Sequence, residues 1–118
     1  MTAPQNNNQV VKGLLELSRQ LQAVTEKLAE AEVDAVNLRE DAKLAESRAF
    51  LSAEGPVDVR KHTAIVASHN ERLAADTAEA VVRGLRQSVR TLETRIGVGR
   101  SFGVAVRSEM QLAGLGGA

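Results

Sequence analysis

The side chains with the most chemical reach in this sequence are two histidines, a run of arginines and a glycine cluster. His62 and His69 stand seven apart, so on a helix they share a face but are separated by about two turns. A metal pair on one helix uses i,i+3 or i,i+4 spacing, and no acidic residue completes a tight cluster here. They read as solvent-exposed histidines, and no metal site is expected. Gly97-Val98-Gly99-Arg100-Ser101-Phe102-Gly103 has the look of a phosphate loop. It carries one residue too many for G-x-G-x-x-G, lacks the Lys-Ser/Thr of the P-loop, and follows a helical pattern where both motifs need a strand. A helix break or a close backbone approach is the better reading. No Ser/His/Asp or Cys/His arrangement is visible, so neither a catalytic residue nor a cofactor is expected.

The arginines make a stronger case. Arg83, Arg86 and Arg90 share a helix face, and Arg95, Arg100 and Arg107 follow; against these six in residues 81–110 stand only Glu93 and Glu109. Such a stripe could neutralise nucleic-acid phosphates and release their counterions. The competing reading is an ordinary solvated face, because Asp76–Arg83, Glu79–Arg83 and Arg90–Glu93 lie at or near helix-neighbour spacings. No aromatic lies nearby to stack bases. The nucleic-acid candidates are therefore Arg83, Arg86, Arg90, Arg95 and Arg100, used on the phosphate backbone rather than on base edges. A third group, Phe102, Val106 and Met110, with Ala113, recurs at helical spacing after the glycines. It could dock on a partner protein or fold back to cap the open end of a hairpin.

These residues must be positioned by helices. From Val10 the apolar positions run Val10, Leu14, Leu17, Leu21, Val24, Leu28, Ala31, Ala35, Leu38, Ala42, Ala45, Ala49, an unbroken 3-4 alternation that lays one seam against a partner helix. The predicted helix covers residues 10–53, roughly 65 Å at ~1.5 Å per residue. Its seam is leucine and valine up to Leu28 and mostly alanine beyond. Gly55-Pro56 then ends it, with Asp58 as the N-cap of a second helix over 58–96. That helix has a late seam of Ala75, Ala78, Val82, Leu85, Val89, Leu92 and Ile96. Its early apolar positions, Val59, Val66 and Leu73, lie on a rotated face, and a four-residue step around 70–78 acts as a stutter.

Similar lengths and a short connection favour an antiparallel hairpin, which sets the alanines of 31–49 against the larger Val59–Leu73. A parallel homodimer is the other geometry: Lys27–Glu32 and Asp34–Arg39 would attract across it, and Asp41–Glu46 would repel. The expected fold is all-α, a long antiparallel helical hairpin or coiled coil with a short C-terminal helix. Its parts are a disordered polar tail over 1–9 capped by one of its asparagines, the hairpin over 10–96, an amphipathic segment over 97–113 capped by Ser101, and a flexible end over 114–118.

Composition agrees. Ala, Glu, Lys, Leu and Arg supply 57 of 118 residues, with no Trp or Tyr and two Phe, so packing must come from aliphatic seams. Fifteen basic and fifteen acidic side chains cancel. Residues 1–55 nevertheless carry six basic and nine acidic groups, and residues 56–118 nine and six, a mild attraction between antiparallel halves. There is no cysteine, no signal-peptide pattern and no apolar run that spans a bilayer, which together suggest a cytoplasmic protein of a bacterial host with no membrane partner.

Two stretches, Arg48-Ala49-Phe50-Leu51-Ser52-Ala53-Glu54-Gly55 and Arg95-Ile96-Gly97-Val98-Gly99-Arg100-Ser101, resemble those of small helical proteins of actinobacterial phages and prophages. The resemblance covers residues 40–113 or so and carries no catalytic residue across. Genes of that group tend to lie near replication and recombination functions. The resemblance thus implies a phage accessory protein, and the chain reads as a non-catalytic coiled coil that binds itself or another protein. The alternative is a DNA-binding accessory factor using the arginines.

Overall fold

A computed structural model describes residues 6–116. They form an all-α helical hairpin of three helices, α1 (Asn7–Ser52), α2 (Val57–Ala67) and α3 (His69–Gly116). Asn6 opens α1: its Oδ1 accepts the backbone N–H of Gln9 at 2.9 Å, the N-cap bond that satisfies one of the free donors of the first turn. All twelve apolar seam positions from Val10 to Ala49 are buried or half-buried. Gly55, with φ 105°, and Pro56 make the corner. Pro56 itself is the N-cap of α2, and Asp58 sits inside the first turn instead of capping it.

The chain divides into two compact units. One, here the corner unit, is Lys27–Arg86; the other, the terminal unit, joins Met1–Glu26 to Gln87–Ala118.

In the corner unit the helices run antiparallel, since Glu32 meets Arg86, Arg39 meets Asp76 and Glu79, and Phe50 meets Arg60. The expected packing of alanines against Val59, Val66 and Leu73 does not occur, and Val66 is 75% exposed. The buried or half-buried positions are instead Arg60, Ala64, Ser68, Arg72 and Ala75. Steps of four residues advance about 40° beyond a full turn each. The seam therefore drifts across α2, earlier in the chain than the stutter expected near 70–78. Ala42, Ala64 and Ala75 are almost wholly enclosed, so the seam is small against small.

One residue, Ser68, separates α2 from α3. It is fully buried, and its Oγ donates to the Ala64 carbonyl at 2.7 Å, taking up the hydroxyl with no outside partner. Arginines enclose this seam at both ends. The Arg60 guanidinium lies 4.5 Å from the centre of the Phe50 ring, and its Nη2 donates to the Phe50 carbonyl near the end of α1. Arg72 Nη2 donates to the Ile65 carbonyl near the end of α2. Each of these carbonyls also accepts a second bond, Phe50 from the Ala53 N–H and Ile65 from the Ser68 hydroxyl, and a cation near a helix C-terminus is favoured by the helix dipole.

In the terminal unit α3 continues to Gly116 without a break at Gly97–Gly103. There is accordingly no separate C-terminal helix over 97–113, and Ser101 lies inside α3 instead of capping a helix. The seam Val89, Leu92, Ile96 simply extends through Gly99, Gly103 and Val106. A Cβ built on Gly99 would stand 2.9 Å from Leu14 Cδ2, and one on Gly103 would stand 3.0 Å from Val10 Cγ1. These glycines admit α1 side chains directly onto the α3 backbone, which is the close approach and not the break. At the chain ends, Asn7–Gln9 and Gly114–Gly116 are helical, and the rest of the expected disordered tail and flexible end falls outside the described residues apart from Asn6.

Candidate interaction surfaces

Phe102, Val106 and Met110 all lie on α3, but the seam divides them. Val106 is 8% exposed, enclosed with Val10 in the terminal unit, and so is not available to a partner as expected. Phe102 is 40% and Met110 58% exposed. On the register that sets Leu14 over Gly99 and Val10 over Gly103, Val106 falls level with Asn7, where α1 begins. Met110 lies a turn beyond that point, on the continuation of the same seam.

Phe102 instead lines a groove along the terminal unit. Val10, Gly13, Leu14, Glu16, Leu17 and Gln20 form its α1 wall, and Thr94, Arg95, Val98, Gly99 and Phe102 its α3 wall, enclosing about 570 Å³. The lining is predominantly apolar, with Glu16 on one wall and Arg95 on the other as its charged members. The sequence reading missed this groove because it arises beside the seam, where Val98 and Leu17 belong to different helices. The surplus of apolar residues flanking the seam at 98 and 102 was the available signal.

The arginines divide between the two units. Arg83 and Arg86 belong to the corner unit, where they share an open cleft with Arg39 and with Glu32, Glu40 and Glu79. Arg86 Nη2 stands 3.6 Å from Glu32 Oε1. Asp76 and Glu79 lie near Arg83 along the helix, as expected, and its charge acts on both, but their hydrogen bonds go to Arg39 on α1: Arg39 Nη2 lies 2.6 Å from Asp76 Oδ1, and Nε lies 2.9 Å from Glu79 Oε1. This fork holds both carboxyls below the usual carboxylate range and raises the guanidinium further, chiefly through the side-chain hydrogen bonds themselves. Arg90, Arg95 and Arg100 belong to the terminal unit and are all exposed; Arg90 Nη2 donates to Gln87 Oε1 at 3.0 Å, not to Glu93.

His62 and His69 are both exposed. Among the described residues, no group of three or more His, Cys, Asp or Glu could hold a metal ion. Among the same residues, no helix is long and apolar enough to cross a membrane.

The fold and these surfaces define a class: an all-α helical hairpin with an apolar groove beside its seam. No protein-family model matches the chain, and no curated protein or solved structure shows significant similarity to it.

Proposed function

We propose that this chain is a non-catalytic helical hairpin that works by binding protein, with Phe102 and Met110 on α3 as the contact residues. The observation that supports this most is the pair of large apolar side chains Phe102 and Met110, which remain open to solvent about 80° apart around a helix that continues to Gly116. An amphipathic helix with large side chains left on its surface presents them to a partner groove or helix. The resemblance of residues 48–55 and 95–101 to phage proteins supports an accessory role in a replication or recombination module in the cytoplasm of a bacterial host. A photo-crosslinking residue placed at Met110 tests the reading in the native host. It should capture a discrete polypeptide, and capture should fall at least tenfold when Phe102→Ala is combined with it. A Met110 probe that captures nothing, or captures equally well without the Phe102 ring, overturns it.

Charge favours a second reading for the terminal unit alone. Lys12, Arg19, Arg90, Arg95, Arg100 and Arg107 outnumber Glu16, Glu26, Glu93 and Glu109 there, which suits phosphate contact. In a gel shift on duplex DNA, Arg95→Glu with Arg100→Glu should weaken binding and flatten its salt dependence by roughly one unit of slope per lost contact. Binding unchanged by the pair would end this reading.

A further inference from the structure

We infer that the groove of the terminal unit is a self-association face, filled by the same groove of a second copy in a twofold-symmetric four-helix arrangement. This rests on the protein-binding reading above and names the partner for one surface.

The first argument is the surface left uncovered. Two helices packed on one seam cannot enclose side chains that lie beside that seam. In the terminal unit these include Val98, 64% exposed, with Phe102 nearby on the groove wall. Two such pairs placed groove to groove enclose all four walls, the usual way helices of this kind complete a core.

The second argument is charge. A twofold interface brings residue i of one copy to residue j of the other, and j to i, so its charges must complement themselves. The groove meets that condition: Glu16 stands on the α1 wall and Arg95 on the α3 wall. With the axis along the groove, the α3 wall of each copy covers the partner's α1 wall, running antiparallel to it. Glu16 and Arg95 lie at neighbouring heights on the Leu14–Gly99 register, so each Arg95 comes within a turn of the partner's Glu16, twice over. A partner of uniform charge would leave one of the two unmatched.

Sedimentation equilibrium on the full chain tests this. The expected mass is about 25 kDa, twice the 12.6 kDa of the chain. Val98→Glu should raise the dimer dissociation constant at least tenfold while helix content by circular dichroism stays unchanged; because Val98 is exposed in the single chain, the substitution leaves its fold intact. Charge exchange supplies the second measurement. Glu16→Arg and Arg95→Glu should each weaken the homodimer, and mixing the two variants should give a heterodimer at least tenfold tighter than either. A pair formed within one chain would not respond to mixing. A mass of 12.6 kDa throughout the micromolar range, or a dimer indifferent to Val98→Glu and to the exchange, overturns the proposal. A monomer that still crosslinks a different polypeptide through Met110 would leave the protein-binding reading standing, whereas loss of both results would remove both.

Discussion

Glycine in a helix carries opposite meanings at Gly97 and Gly99, two residues apart on α3. A Cβ at position 97 meets nothing within 4 Å, whereas one at position 99 meets Leu14 Cδ2 at 2.9 Å. Gly97→Ala should therefore stabilise the chain by about 1 kcal/mol, the ordinary helix-propensity gain. Gly99→Val should cost about 1–3 kcal/mol, because the branched side chain extends past the point that a rotation of Leu14 can clear. Urea unfolding of the two variants measures both, and equal gains would show that α1 does not rest on the glycine face. As punctuation the glycines of 97–103 look alike, and a break after Ile96 was the natural inference. Yet the 3-4 alternation through Leu92 and Ile96 lands on Gly99, Gly103 and Val106, so the seam was legible for anyone who let glycine count as an interior residue. Arg60 and Arg72 were not legible in this way. Their places in the seam depend on the drift of α2 and on carbonyls exposed at the ends of α1 and α2, which no local pattern displays.

At the scale of helices, α1 was legible almost entirely, because one seam type persists along it and its caps are ordinary. The return was legible only from Ala75 onward. Before that point, apolar residue type points to Val59, Val66 and Leu73, while burial selects Ala64 and Ser68, since small residues permit the closer approach. The Arg39 fork escaped for a related reason: Arg39, Asp76 and Glu79 each directly follow a seam residue (Leu38, Ala75 and Ala78), but their pairing needs the register between helices. That fork makes a pH prediction. Asp76 and Glu79 have folded pKa values below the unfolded ones, which are about 3.9 and 4.3. The folded state therefore binds fewer protons than the unfolded state across the acid range. The stabilisation is complete above the unfolded values and is lost as pH falls through the folded ones. Arg39→Met should lower the melting temperature at neutral pH and should shrink the fall between pH 7 and pH about 2, because the bonds that protonation breaks are then already gone and only the weaker pull of Arg72 and Arg83 is left to lose. A variant whose acid-induced fall matches the parent chain would show that the fork contributes nothing in solution.

Across the whole chain, the two units differ in what their seams supply. The corner unit closes on alanines, Ser68 and ion pairs, a seam whose residues enclose one another within one chain. The terminal unit closes on Leu14, Val10 and the α3 glycines, and it leaves Leu17, Val98 and Phe102 along an open groove. If that groove is covered by a second copy, chain concentration must act on the units unequally. Association adds RT ln(1 + [L]/Kd) to the stability of whatever it covers, about 2.7 kcal/mol at a hundredfold excess over Kd. Amide exchange in residues 10–20 and 94–102 should therefore slow with rising concentration, to the extent that those amides open by dissociation and local unfolding. Exchange around the Gly55–Pro56 corner, in residues 50–62, lies in the other unit and should slow only where it proceeds through global unfolding. The comparison reads both units in one sample, so a change in buffer or temperature cancels. Slowing that is uniform over all helices would indicate general stabilisation with no particular face, and slowing confined to 50–62 would place association on the corner. Protection that rises with concentration first along Leu14–Gln20 and Thr94–Phe102 is the pattern the groove requires.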